Sequence, residues 1–181
     1  MTPLVVPVVI YIVYHIFNVY MDCRYRITKN WWHLCFLIVG AIYIYTSGAY
    51  SAWYTPWAAF FTALIFGLLL EVLRQSSPGD TKMMAVSAFL ITGALPSVFF
   101  LHIGIGVVIF HLLLFILYTY GYLIVKIGPV NTLKEQINTV KTILMPGMPI
   151  DNTRIFDHFP GATTIMGGGL LYIAVSVLYI F

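Results

Sequence analysis

The chain has 181 residues, of which 61% are hydrophobic and only 8% are charged. Soluble domains carry about three times that share of charged residues, and the mean hydropathy here is +0.94. This composition indicates an integral membrane protein and leaves no room for a separate soluble domain. The net charge is +3. In membrane proteins such an excess of Lys and Arg usually reflects the topology, so we expect no nucleic-acid partner.

Six apolar stretches are candidates for crossing a bilayer, which needs about 20 residues per helix. The first lacks the basic start and the cleavage site of a secretory signal, so we expect a retained helix. Four of these stretches are residues 3–21, 31–46, 53–73 and 160–181, and the uncharged region 83–125 holds two more. The sequence therefore predicts an all-α, six-span protein with one membrane-embedded domain over residues 1–181.

Two positions are candidates for the turn inside region 83–125. One is Pro96-Ser97 and the other is residues 102–106. We favour residues 102–106, with Pro96 as a kink, because a turn at Pro96 leaves the fourth helix short for a bilayer.

The charged residues all fall on one side of this six-span arrangement. The cations are Arg24, Arg26, Lys29, Arg74, Lys82, Lys126, Lys134, Lys141 and Arg154, and the acids are Asp22, Glu71, Asp80, Glu135, Asp151 and Asp157. The positive-inside rule assigns that side to the cytosol, so both termini are expected outside. Any chemistry that needs ionisable groups is then expected at the cytosolic face.

The longest loop, residues 126–159, contains apolar residues at three-to-four-residue spacing. They are Val130, Leu133, Ile137, Val140 and Leu144, with polar residues between them. This pattern predicts an amphipathic helix on the inner membrane surface, where it contacts lipids. Pro146, Gly147 and Pro149 are expected to end it.

Two aspartates are expected at the same membrane depth, because Asp22 ends the first span and Asp80 opens the fourth. Either one alone is typical of an ordinary helix boundary. Two carboxylates that meet share one proton, so one can act as a general base on water while the other donates a proton. Gly79 favours this arrangement because a residue without Cβ allows close approach by another backbone or a substrate.

The residues around both aspartates form short motifs. Asp22, Arg24 and Asn30 follow an Asp-x-Arg pattern leading to Asn, and Gly79, Asp80 and Lys82 follow Gly-Asp-x-Lys. These two elements resemble those of the type IV prepilin peptidases, which are intramembrane aspartyl proteases. The last span, beginning near Pro160, also resembles that family's final helix. The chain departs from the family at Ser77, where a glycine is usual, and at Thr28-Lys29, where Ile-Pro is common.

The resemblance implies an aspartyl endopeptidase of the inner membrane with Asp22 and Asp80 as catalytic residues. Gly79, Lys82, Arg24 and Asn30 are then supporting or substrate-binding residues. The implied substrates are pilin-like precursors with a basic leader and one apolar helix. The implied reaction removes the leader and uses no cofactor or metal. The chain contains no Cys-x-x-Cys pair, so we expect no N-methyltransferase activity.

Two other classes of function remain open. A small transporter or proton-conducting subunit relays ions through acids, but it needs acids distributed through the membrane depth. A non-enzymatic assembly subunit of a pilus or secretion machine tolerates loss of either aspartate. Arg24 and Lys82 likewise have two interpretations, since each is either a headgroup-facing cation or a site residue.

Several other polar or small residues have simpler interpretations. His15 and Asn18 share the helix face of Asp22, and we expect His15 to bond a neighbouring helix. Glu71 is expected to pair with Arg74, and His111 and residues 167–169 are expected to pack between helices. The two cysteines, Cys23 and Cys35, show no disulfide or zinc pattern.

Overall fold

We describe the fold from a computed structural model, which describes residues 2–73, 76–144 and 161–180. Every regular element in these ranges is an α-helix, and none of these residues lies in a β-strand. The helices are α1 (Thr2–Tyr25), α2 (Asn30–Ser47), α3 (Thr55–Val72), α4 (Pro78–Ala94), α5 (Phe100–Ile127), α6 (Pro129–Leu144) and α7 (Gly161–Ile180). The expected all-α fold is confirmed for the described part of the chain.

Four of these helices, α1, α3, α5 and α7, are long and apolar enough to cross a membrane. The other two predicted spans are less clear-cut. The first turn of α2 carries Asn30 and His33, which lower its hydropathy, and α4 has only 17 residues. The structure therefore supports a helical membrane protein with four such helices, and the six-span arrangement stays a prediction.

Helix α4 forms the centre of the bundle. It packs most extensively against α3 and also contacts α1, α2, α5 and α7. Every residue from Met83 to Ala94 is buried. Because protein rather than lipid surrounds it, this helix does not need to match the bilayer thickness.

The favoured turn between the fourth and fifth spans was wrong. Helix α4 ends at Ala94, α5 begins at Phe100, and residues 102–106 lie inside α5. Pro96 ends α4 because proline lacks the N–H that the next helical hydrogen bond needs. The prediction assumed a span matched to a lipid bilayer, whereas α4 is only about 26 Å long at 1.5 Å per residue and is enclosed by other helices.

The glycines of the favoured turn serve helix packing instead. A Cβ on Gly104 would lie 3.0 Å from the carbonyl oxygen of Ala59 in α3. A Cβ on Gly106 would overlap the ring of Tyr172 in α7. These two glycines therefore allow α5 to approach α3 and α7 closely.

Helix ends that carry charged residues meet at one end of the bundle. Asp22 at the end of α1 contacts Ala162 at the start of α7. Lys82 in the first turns of α4 contacts Asn30 at the start of α2. This end of the bundle is called the charged end below.

The predicted amphipathic helix is confirmed as α6. Gly128 separates it from α5 and has a φ of 82°, a left-handed conformation that favours glycine. Val130, Leu133 and Ile137 are exposed on α6, while Thr132 is buried against the bundle. Its location on a membrane surface stays a prediction, and the residues expected to end it lie outside the described ranges.

The glycines of α7 also pack closely, as predicted. A Cβ on Gly168 would lie 2.7 Å from the backbone nitrogen of His111 and 2.9 Å from the carbonyl carbon of Phe110. A Cβ on Gly169 would overlap the hydroxyl of Tyr11. A Cβ on Gly167 would meet only the end of the Leu114 side chain, at 3.1 Å.

Gly168→Ala is expected to destabilise the protein by about 1–3 kcal/mol, the usual cost of overpacking. The added methyl meets backbone atoms, which cannot rotate away, so α5 and α7 must separate. Gly167→Ala is the matched control, because the Leu114 side chain can move. Thermal unfolding of the purified protein in detergent, followed by circular dichroism, measures both. Equal losses in the two variants would contradict the packing described here.

Candidate active site

Asp22 lies in the last turn of α1 and is half-buried. Its Oδ2 accepts a hydrogen bond of 3.1 Å from the backbone N–H of Ala162 in the first turn of α7. The first N–H groups of a helix have no partner inside the helix, and a carboxylate is favourable there. This bond therefore holds Asp22 against α7.

Asp80 is held by a capping box at the start of α4. Its Oδ2 accepts hydrogen bonds from the Ser77 backbone N–H at 3.1 Å and from the Ser77 hydroxyl at 2.8 Å. The Ser77 Oγ in turn accepts from the backbone N–H of Asp80 at 3.2 Å. This reciprocal pair is a common helix start, and it orients the Asp80 side chain. Ser77, which departs from the family motif, is thus a structural part of the site.

Asp80 also lies against the first residue of α7. A Cβ built on Gly161 would overlap the Asp80 carboxylate and lie 2.6 Å from its Cγ. Glycine is therefore required here if the carboxylate is to keep this position. Since Asp22 bonds to Ala162, the two carboxylates flank consecutive residues of one helical turn.

The two acids interact electrostatically. Asp80 lies in the first turn of α4, ahead of the apolar run that begins at Met83, and α4 is not one of the four described helices that are long and apolar enough to cross a membrane. Burial raises the pKa of the Asp80 carboxyl, hydrogen bonds from Ser77 partly oppose this, and the nearby charge of Asp22 raises the pKa further. The charge of Asp22 therefore disfavours ionisation of Asp80.

Gly79 was expected to allow close approach by another part of the chain or by a substrate. In the structure the residue that approaches it is Thr28 of the first loop. A Cβ on Gly79 would lie 2.7 Å from Thr28 Oγ1. Thr28 is the second position at which the chain departs from the family motif. Both departures therefore lie in contact with the start of α4.

Asn30 and Lys82 also connect the first loop to α4. Lys82 Nζ donates a hydrogen bond of 3.0 Å to Asn30 Oδ1. Together with the Thr28–Gly79 contact, this bond docks the loop after Asp22 onto the helix that carries Asp80. The contact supports a positioning role for both residues.

Arg24 lies apart from this cluster. Its Nη1 donates to the hydroxyl of Tyr20 at 3.3 Å, and its guanidinium lies 5.5 Å from the centre of the Tyr25 ring. These contacts favour the headgroup-facing interpretation over a role beside the carboxylates. Arg26, two residues on, has a φ of 55° and closes α1 through a 3.1 Å bond from its N–H to the Asp22 carbonyl.

The remaining polar residues behave largely as expected. His15 bonds Ser87 of α4 at 2.8 Å, and His111 bonds Thr164 of α7 at 3.0 Å. Glu71 accepts from the Thr81 hydroxyl at 3.3 Å, whereas its expected partner Arg74 lies outside the described residues.

Sequence reasoning missed three contributors to the site. Gly161 and Ala162 were associated with the last span only as part of a family pattern, and Ser77 was counted only as a departure from a motif. A serine three residues before an aspartate is a recognisable helix start, so this signal was present. Nothing local in the sequence predicts that the start of α7 meets Asp22 and Asp80.

Comparison with known proteins identified no relative, since no protein-family model, curated protein or solved structure matches the chain. The described residues contain no group of three or more His, Cys, Asp or Glu side chains able to hold a metal ion. Cys23 and Cys35 are free and exposed.

The free energy of unfolding of the native protein is expected to fall, relative to that of Asp80→Asn, as the pH rises from about 4, the usual pKa of aspartate. The pKa of Asp80 is raised in the folded state, so the folded protein binds this proton more tightly than the unfolded chain. The stabilisation is fully present below the unfolded pKa and is lost as the pH rises through the folded pKa. Thermal unfolding of both proteins in one detergent, over a series of pH values, measures the difference.

Asp22→Asn provides a control for the origin of this effect. Without the Asp22 charge, the loss of stability with rising pH should be complete at a lower pH, because that charge raises the pKa of Asp80. Parallel pH profiles for the native protein and Asp80→Asn would contradict the interpretation.

Proposed function

We propose that the protein is an intramembrane aspartyl endopeptidase that removes the cytosolic leader from type IV prepilin-like precursors. One observation carries the proposal: Asp22 and Asp80, from two different helices, flank the consecutive residues Gly161 and Ala162 at the start of a third. Two acids that merely mark the ends of membrane helices are not expected to contact the same turn of a third helix. Convergence costs electrostatic free energy, which a function that needs two carboxyls would explain.

The two carboxyls divide the acid–base work. Asp80, whose pKa is raised by burial, acts as the general acid, and Asp22, which accepts the N–H of Ala162, acts as the general base. Asp22 takes a proton from a water molecule, whose oxygen attacks the carbonyl carbon of the scissile peptide bond. Asp80 protonates the carbonyl oxygen, and Asp22 then passes the proton that it took from water to the leaving nitrogen. The C–N bond breaks as a hydroxyl of the tetrahedral intermediate returns its proton to Asp80. The products are a new carboxyl end on the leader and a new amino end on the pilin-like chain.

A six-span topology places this site at the cytosolic membrane face. In this arrangement α1, α2, α3, α4, α5 and α7 cross the membrane, both termini lie outside, and α6 lies on the inner surface. The exposed apolar residues Val130, Leu133 and Ile137 support contact between α6 and lipid. A basic leader that precedes an apolar helix presents its cleavage site at the same depth.

Asp22→Asn and Asp80→Asn are each expected to abolish cleavage of a co-expressed panel of pilin-like precursors. Loss of an acid or base step lowers rates on the order of 100-fold or more. Gel mobility and N-terminal sequencing of the product detect cleavage and locate the cut. Glu71→Gln is the matched control, because Glu71 lies at the charged end but contacts Thr81, and it should retain activity.

The assay also separates the competing functions. Cleavage that survives either aspartate substitution, in a variant that still inserts and folds, excludes the paired-carboxyl mechanism. Pilus or secretion assembly that persists in both aspartate variants, with no precursor cleavage by the native protein, would instead favour a non-enzymatic subunit.

A further inference from the structure

A group of polar side chains is buried in the bundle next to the part of α1 that precedes Asp22. Tyr14, His15 and Asn18 of α1 are fully buried, and His33 of α2 is 5% exposed. All four meet around Tyr14, whose ring centre lies 4.7 Å from that of His15 and 5.9 Å from that of His33. The Tyr14 backbone carbonyl accepts a hydrogen bond of 3.0 Å from Asn18 Nδ2.

Three of these side chains each have one polar atom without a hydrogen-bond partner in the described part of the chain. The atoms are His15 Nδ1, Asn18 Oδ1 and His33 Nε2. An unpartnered polar atom in the interior costs free energy, and native proteins satisfy most such atoms, often with buried water. Three unpartnered polar atoms around one tyrosine therefore indicate a bound ligand.

The hydrogen bonds of Ser87 indicate which ring nitrogen of His15 carries the proton. Ser87 donates its single hydroxyl proton to the carbonyl of Met83 at 2.7 Å. The same hydroxyl contacts His15 Nε2 at 2.8 Å, so it must accept there, and Nε2 carries the imidazole proton. Nδ1 of a neutral imidazole is then an acceptor. Its missing partner is a donor.

The other two unpartnered atoms are a ring nitrogen and an amide oxygen. The Tyr14 phenol contacts His33 Nδ1 at 2.7 Å, so His33 Nε2 is a donor when the phenol donates this bond and an acceptor when the phenol accepts it. Asn18 Oδ1 is an acceptor. Exchanging the amide oxygen and nitrogen of Asn18 does not remove the problem, because it would place two N–H donors there and break the bond to Tyr14.

We propose that buried water binds at His15 Nδ1, Asn18 Oδ1 and His33 Nε2 and forms an internal hydration site beside Asp22. Water can satisfy donors and acceptors alike, because each molecule has two donors and two acceptor lone pairs, and about three hydrogen bonds is usual for a buried water. An apolar ligand would leave all three atoms unpaired.

The position of Asn18 connects this site with the carboxylates. Asn18 precedes Asp22 by four residues and lies on the same face of α1, about 6 Å along the helix axis. On the proposed function, which this step requires, the hydration site supplies the water that hydrolysis consumes. Asn18 is then a positioning residue that acts through bound water.

Water contact is measured directly by NMR on protein labelled with ¹⁵N-histidine in lipid nanodiscs, without any substrate. Magnetisation transfer from water to the ring nitrogens should be several-fold faster for His15 and His33 than for His111. His111 is the internal comparison, because it is also buried and has an unpartnered Nε2, but it lies on α5 and is not part of this group of three unpartnered atoms. Transfer at His15 and His33 no faster than at His111 overturns the hydration site.

Asn18→Leu tests the supply of water to the reaction. The substitution keeps the side-chain size, and the Tyr14 carbonyl still accepts from Trp32 Nε1 at 3.0 Å. We expect several-fold slower transfer at His15 and a several-fold lower kcat with unchanged KM. Asn18→Ser, whose hydroxyl and vacated volume both admit water, should restore both quantities.

The two proposals fail separately. Fast water transfer at His15 and His33 without cleavage of any precursor keeps the hydration site and removes its catalytic role. Normal kcat in Asn18→Leu, with water transfer abolished, overturns the supply of hydrolytic water from this site.

Discussion

The start of helix α7 holds the site together. Asp22 and Asp80 come from helices α1 and α4, and two carboxylates placed near each other repel. The Ala162 N–H accommodates the charge of Asp22, and the partial positive charge of the α7 N-terminus favours both acids. Gly161 gives Asp80 the space to lie against the same turn. Without this helix end, the two acids would be expected to separate.

Two further constraints hold the acids in register. Helix α4 is enclosed by five other helices, so the turn that carries Asp80 has a fixed place in the bundle. The loop after Asp22 docks onto that turn through Thr28 against Gly79 and through the Lys82–Asn30 bond. Ser77 then orients the Asp80 side chain. Among the motif residues, Asn30, Gly79 and Lys82 therefore position one short segment against another.

Much of this arrangement follows from local sequence patterns, and the rest depends on tertiary contacts. The apolar runs predict the helices closely, and the spacing of Val130, Leu133 and Ile137 predicts α6, because these signals are periodic and local. The α4–α5 turn was misplaced because the enclosure of α4 depends on its neighbours. The role of Gly161 was likewise inaccessible, since it depends on which residues meet across helices. The contact of Arg24 with Tyr20 is instead an i, i+4 pair on α1, which the spacing could have indicated.

The central claim is that Asp22 and Asp80 act as one unit. The most direct test compares cleavage rates of a purified, reconstituted precursor by Asp22→Asn, by Asp80→Asn and by the double variant. Residues that act as a unit show grossly non-additive losses. The account predicts that each single substitution lowers the rate by nearly the same factor as the double. A single variant with near-native activity, or a double variant that multiplies the two single losses, would contradict it.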